Sequence, residues 1–170
     1  AVIEGNVEEQ VRNEAIFRLA RIYFQKDQPV NALYAVERTR GVVPPQIHDD
    51  LGFLRAQIFM ANGRFTEAAR ILRDLQDAES LKGFSTYNLG VALLKDGKEL
   101  EGREYLDLAG RINGSDAITM AIKDKSNLVL GSKLLKEKNF EGAKQVLDRV
   151  HLKGPFSNRA LLGSGWADAF

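Results

Sequence analysis

His48 and His151 are the residues from which an active centre would most readily be built, being the only imidazoles in the chain. They stand about a hundred residues apart, and neither has a second imidazole or a carboxylate at metal-ligand spacing. Both read as solvated or capping residues. Asp49 and Asp50 are paired carboxylates, but they fall where a helix should start and the helix dipole favours negative charge. "GSGW" (163–166) hints at a glycine-rich phosphate loop, yet no strand precedes it, and no G-x-x-x-x-G-K-[ST] or G-x-S-x-G pattern occurs. "NGS" (113–115) fits a glycosylation sequon, but a turn ahead of a helix explains it better. Lys123, Lys125, Lys133, Lys136, Lys138 and Lys144 cluster, but Asp124, Glu137 and Glu141 interleave with them, as on a solvated face. Cysteine is absent, which removes disulfides, thiolate catalysis and thiolate metal sites. No catalytic residue, cofactor or metal is expected, and the chain is not read as an enzyme.

The elements that carry these residues explain more. The 170 residues contain 24 basic and 23 acidic side chains. So even a balance argues against nucleic acid as a partner, and no apolar run is long enough to enter a membrane directly. Gly90 sits inside "YNLGVALLKDG", an otherwise amphipathic helical stretch, where glycine costs up to about 1 kcal/mol relative to alanine. Small residues recur in the same setting at Ala20, Ala56, Gly131 and Gly163, in steps of 36, 34, 41 and 32 with Gly90 included. Twelve residues after the first four comes a second small residue: Ala32, Ala68, Gly102 and Ala143. Bulky residues follow the first set by three (Tyr23, Phe59, Leu93, Leu134, Trp166) and the second by four (Val36, Leu72, Leu106, Leu147). A constant inner offset with variable outer steps describes rigid two-helix units joined by adjustable connectors. The small residues then lie where the paired helices cross. "KDQP", "ANGR", "KDGK" and "KEKN" supply the turns, Pro29 suits a helix start, and Pro44 and Pro155 would end second helices.

This pattern resembles the tetratricopeptide (TPR) repeat, most fully in "YNLGVALLKDGKELEGREYLDLA" (87–109) and "LGSKLLKEKNFEGAKQVLDRV" (130–150). The first two units depart from the signature by carrying Ala for Gly and, in the second, Arg55 in place of Leu. The resemblance implies an all-α fold, a right-handed α-α superhelix or TPR-like solenoid of antiparallel helix hairpins. One repeat domain over 1–170 is expected, with units at about 13–45, 48–78, 83–113 and 115–154 and a half-repeat at 156–170. First helices are predicted at about 8–26, 46–62, 79–96, 115–138 and 156–170, and their partners at 29–41, 65–77, 98–112 and 140–151. The 41-residue step predicts a lengthened first helix in the fourth unit, capped by Ser115 or Asp116, with a short separate helix as the alternative.

In the resembled family the first helices line a concave groove that receives peptides or helices. Register transfers that stripe to Phe17, Arg21, Phe24, Phe53, Gln57, Met60, Tyr87, Asn88, Val91, Leu94, Lys125 and Leu128, with Ser132 behind them. Such an apolar and aromatic strip suits an apolar or amphipathic segment of a protein partner. The family's carboxylate clamp is poorly matched: its places hold Phe17, Arg21, Leu54, Phe84 and Asn88, or one unit on, Phe53, Gln57, Asn88, Lys125 and Val129. The implied role is a protein–protein interaction scaffold. The alternative is self-association into a homo-oligomer through the Leu- and Trp-rich half-repeat. A start at Ala1 suggests a processed form or an excised piece of a longer protein, and with the missing cysteines it leans toward an exported bacterial one.

Overall fold

A computed structural model describes residues 2–169, with side chains from Gly5 onward. Among the described residues there are nine α-helices and no strand: α1 (Val2–Gln25), α2 (Pro29–Val36), α3 (His48–Ala61), α4 (Phe65–Asp74), α5 (Phe84–Lys95), α6 (Glu99–Gly110), α7 (Ala117–Lys136), α8 (Phe140–Leu147) and α9 (Ser157–Asp168). Contacts group them into two compact units, residues 1–85 and 86–170. In the first, α1 packs on α2, α2 on α3 and α3 on α4. In the second, α6 packs on α7, α7 on α8, and α9 on both α7 and α8.

Four of the five leading small residues, Ala20, Ala56, Gly90 and Gly131, are buried, as are Ala32, Ala68, Gly102 and Ala143. A Cβ on Gly90 would stand 2.8 Å from Leu106 Cγ and 2.9 Å from the Leu106 backbone nitrogen. One on Gly102 would meet the Leu94 backbone at 2.8 Å. Helices α5 and α6 therefore cross with backbone nearly touching backbone, and each glycine makes room for the other helix. The burial this allows along both helices, worth roughly 25 cal/mol per Å², outweighs the local cost of a mid-helix glycine.

The constant twelve-residue offset has its cause in the turns. Each hairpin bends through one left-handed residue seven positions after the leading small residue: Asp27 (φ 55°), Gly63 (φ 75°), Gly97 (φ 80°) and Lys138 (φ 61°). The N–H of the following residue reaches back to a carbonyl in every case: Gln28 to Tyr23 (2.9 Å), Arg64 to Phe59 (2.8 Å), Lys98 to Leu93 (2.9 Å) and Asn139 to Leu134 (2.9 Å). These are Schellman closures, which satisfy the orphan carbonyls of a helix end and fix the exit direction of the chain. The bulky residues read from the sequence as core are also the carbonyl acceptors of this motif.

Several boundaries differ from the sequence reading. Helix α1 begins at Val2 instead of about residue 8, and Glu9, Arg12 and Asn13 bond it to the segment after α2. Helix α2 stops at Val36, not near 41, and α8 stops at Leu147, not near 151. Pro44 and Pro155 thus lie beyond helices that have already ended. After α2 the chain is extended and fastened to α1. Buried Asn13 donates to the carbonyls of Arg40 (2.8 Å) and Val42 (2.7 Å), Arg12 donates to Arg40 (2.8 Å), and Glu9 accepts from the Val42 N–H (2.9 Å). Helix α7 is the lengthened one, a single helix of 20 residues rather than two short ones. Asp116 is its cap, accepting from the N–H groups of Ile118 (3.1 Å) and Thr119 (3.0 Å) and from the Thr119 hydroxyl (2.6 Å).

Candidate interaction surface

Within the first unit, α1 carries Phe17, Arg21 and Phe24 at helical spacing. Phe17 is only 9% exposed and belongs to the core formed with Leu51, Leu54 and Ile58, and half-buried Phe24 packs against that core. Arg21 is exposed. An edge of Phe17 still lines a cleft of about 450 Å³ whose walls include Glu14, Arg18, Arg21, Gln25 and Ile47. On α3, half-buried Phe53 meets Phe84 edge-to-face, with ring centroids 6.3 Å apart and planes at 65°. Gln57 and Met60 are half-buried.

Within the second unit, Tyr87 is half-buried and its ring carries the Lys125 ammonium at 5.1 Å from the centroid. A cation over an aromatic face is attracted by the ring quadrupole. Burial also pushes the Tyr87 phenol up. Val91, Leu94 and Leu128 pack against a core of Leu106, Leu130, Leu134 and Leu147, while Asn88 is half-buried. Apart from the half-buried Gln57, Met60 and Asn88, the predicted strip divides into three kinds of residue. Phe17, Phe24, Val91, Leu94 and Leu128 contribute mainly to packing. Phe53 with Phe84, and Tyr87 with Lys125, offer partly open aromatic surface. Arg21 supplies charge at a cleft edge.

The two histidines differ from each other. His48 is exposed and pairs with Asp49 at 2.9 Å. His151 meets Asp124, a carboxylate 2% exposed that accepts from the His151 ring Nδ1 (2.7 Å) and its backbone N–H (3.1 Å). Asp124 thus does not belong to a solvated lysine face. It fastens the segment after α8 onto α7, beside a cleft of about 430 Å³ lined largely by Ala117, Met120, Ala121, Leu152 and Pro155. The sequence carried no sign of this pair, because 27 residues separate its members. Among the described residues no group of His, Cys, Asp and Glu could hold a metal ion, and no helix is long and apolar enough to cross a membrane.

Of the clustered lysines, Lys133 and Lys144 are ion-paired, Lys144 with Asp168. Lys133 bridges Glu99 (2.7 Å) and Glu137 (3.1 Å), and Arg103 bridges the same two carboxylates, at 3.5 and 2.5 Å. This four-residue network ties α6 to α7. The hydrogen bond from Lys133 holds the Glu99 carboxyl below the usual carboxylate range.

No family model matches the chain, and no curated protein matches it. Solved structures do. One is the crystal structure of a Podosopora anserina protein described as a kinesin light chain of nearly identical TPR-like repeats. It superposes with a TM-score of 0.64 at 20% identity, over 93% of this chain and 85% of that one. The fold is accordingly a TPR-like helical solenoid built from sequential hairpins.

Proposed function

We propose that the chain is a protein–protein interaction scaffold that receives an apolar or amphipathic peptide segment on the first helices of its repeats. No covalent chemistry is involved. The observation that carries this reading is the set of partly open aromatic rings flanked by charge, Phe53 with Phe84 in the first unit and Tyr87 under Lys125 in the second. Aromatic anchors beside charged edges are the usual energetic centres of peptide recognition. The fold itself supports the scaffold role, since the stacked repeats of a solenoid create extended binding surfaces.

A phage-displayed library of helical peptides, panned on the whole chain, should yield amphipathic sequences. Arg21→Glu combined with Phe53→Ser should weaken a selected peptide about tenfold or more, equivalent to about 1.4 kcal/mol. Undiminished binding by a double variant that keeps its helical circular dichroism would remove the first unit from the reading.

A second reading, self-association, is favoured by α9. Its Leu162 and Trp166, four residues apart on one face, are 66% and 59% exposed, with Leu161 beside them. Trp166 also borders a cleft of about 460 Å³ with Leu135 and Phe140. Sedimentation equilibrium should then show a concentration-dependent dimer that Leu162→Ser with Trp166→Ser disperses. A monomer at every concentration would end this option.

A further inference from the structure

Arg55 is the residue at which the second unit departs most from the repeat signature, and its surroundings do not explain it as a core substitution. Its Nε is buried without a hydrogen-bond partner. Its guanidinium lies 5.9 Å from the centroid of Phe59, a ring that Arg64 also approaches at 4.5 Å. Two carboxylates stand nearby, Glu37 and Glu67, and Arg64 engages both, Glu67 at 2.8 Å. Arg40 turns its Nη1 to the backbone carbonyls of Glu37 (2.6 Å) and Thr39 (2.8 Å), not to an acid. Arg70 makes no ion pair among the described residues. Desolvation holds the Arg55 guanidinium below its ordinary value, and repulsion from Arg70 and then Arg40 adds to this, with only Glu37 opposing.

The network between α6 and α7 shows what a compensated arrangement looks like. Arg103 also has a buried, unbonded Nε, but two carboxylates answer its charge. Around Arg55 the one opposing carboxylate, Glu37, is already engaged by Arg64, and no other among the described residues pairs with the Arg55 guanidinium. A half-buried guanidinium is costly unless a carboxylate or a similar oxyanion meets it. Arginine is also the side chain best shaped to take such a group through two parallel N–H donors.

We infer that Arg55, with Arg40 and Arg70 around it, forms a receptor for an acidic side chain presented by a peptide partner. Arg55 is none of the places of the family's carboxylate clamp in either register, which on α3 are Leu54 in one and Phe53 with Gln57 in the other. The site rests on the scaffold reading and gives it a partner chemistry: an acidic residue, received on a different face of α3 from Phe53 and Gln57, which stand two positions away along the helix.

The test uses the whole chain and two probes, a blocked tetra-glutamate peptide and its tetra-glutamine counterpart, at constant ionic strength. The glutamate peptide should shift the Arg55 Nε–Hε resonance and bind with a Kd at least tenfold below that of the glutamine peptide. Arg55→Leu, which restores the signature residue, should abolish the difference between the peptides and raise Tm in their absence. Arg55→Gln should lose the glutamate preference while retaining the fold. Equal binding of the two peptides, an unchanged preference in Arg55→Leu, or a fall in its Tm would each overturn the site. None of these results bears on binding at Phe53 or Arg21, so the scaffold reading is tested separately.

Discussion

Gly90 and Lys138 show opposite ways in which one residue's backbone sets what its position tolerates. At Gly90 the obstacle is backbone: an added methyl meets the Leu106 nitrogen at 2.9 Å and the Gly102 carbonyl oxygen at 3.0 Å, groups that cannot swing aside. Gly90→Ala should therefore destabilise by about 1–3 kcal/mol despite alanine's better helix propensity, measured as a lower urea midpoint at unchanged slope. At Lys138 the obstacle is the side chain already present. A lysine at φ 61° occupies a conformation that glycine adopts freely, and the residue is exposed. Lys138→Gly should stabilise by about 1 kcal/mol, and a loss of stability would show that the lysine holds something beyond the turn. The register of small and bulky residues was legible because helix-face periodicity is local. The left-handed turn was half legible: Gly63 and Gly97 signal it, whereas Asp27 and Lys138 do not.

At the scale of helices, sequence predicts existence better than extent. Helix α2 reads as continuing to about residue 41, since Glu37 and Arg38 are sound helix formers. It ends at Val36 because Asn13, 27 residues before Arg40, takes the carbonyls of the extended segment that follows. A partner so distant leaves no mark on local pattern. The same holds for Asp124 and His151, and for Asn127, a buried amide that donates to the Gly110 carbonyl at the end of α6 (3.1 Å). Side chains that close one element from another element are invisible to periodicity. The apolar strip was legible only as a set of positions. Which of its members pack inward, as Phe17 does, and which keep open surface, as Tyr87 does, depends on neighbouring repeats. Arg55 was visible as a departure from the signature, but its meaning required knowing that Arg64 already holds both nearby acids.

Across the whole molecule, charge is nearly balanced, so pH acts through individual pairs. Hydrogen bonds from Arg64, from Lys133 and from the Thr119 hydroxyl and backbone hold the Glu67, Glu99 and Asp116 carboxyls below their ordinary values. A carboxylate depressed in the folded chain adds stability that is complete above its unfolded pKa, about 4, and disappears as pH falls through the folded value. The urea midpoint should hold between pH 7 and pH 5 and fall between pH 5 and pH 3. Glu99→Gln should lower the midpoint at pH 7 and make it less sensitive to acid. A midpoint indifferent to pH 3 would show that these exposed pairs are screened to insignificance.

Trp166 has a practical consequence. It is the sole tryptophan, it lies on α9 in the second unit, and most of its ring faces solvent. Its emission should be red-shifted and open to acrylamide quenching even in the native protein. A denaturation curve followed at that wavelength would register the surroundings of α9, whereas far-ultraviolet dichroism would register the helices of both units.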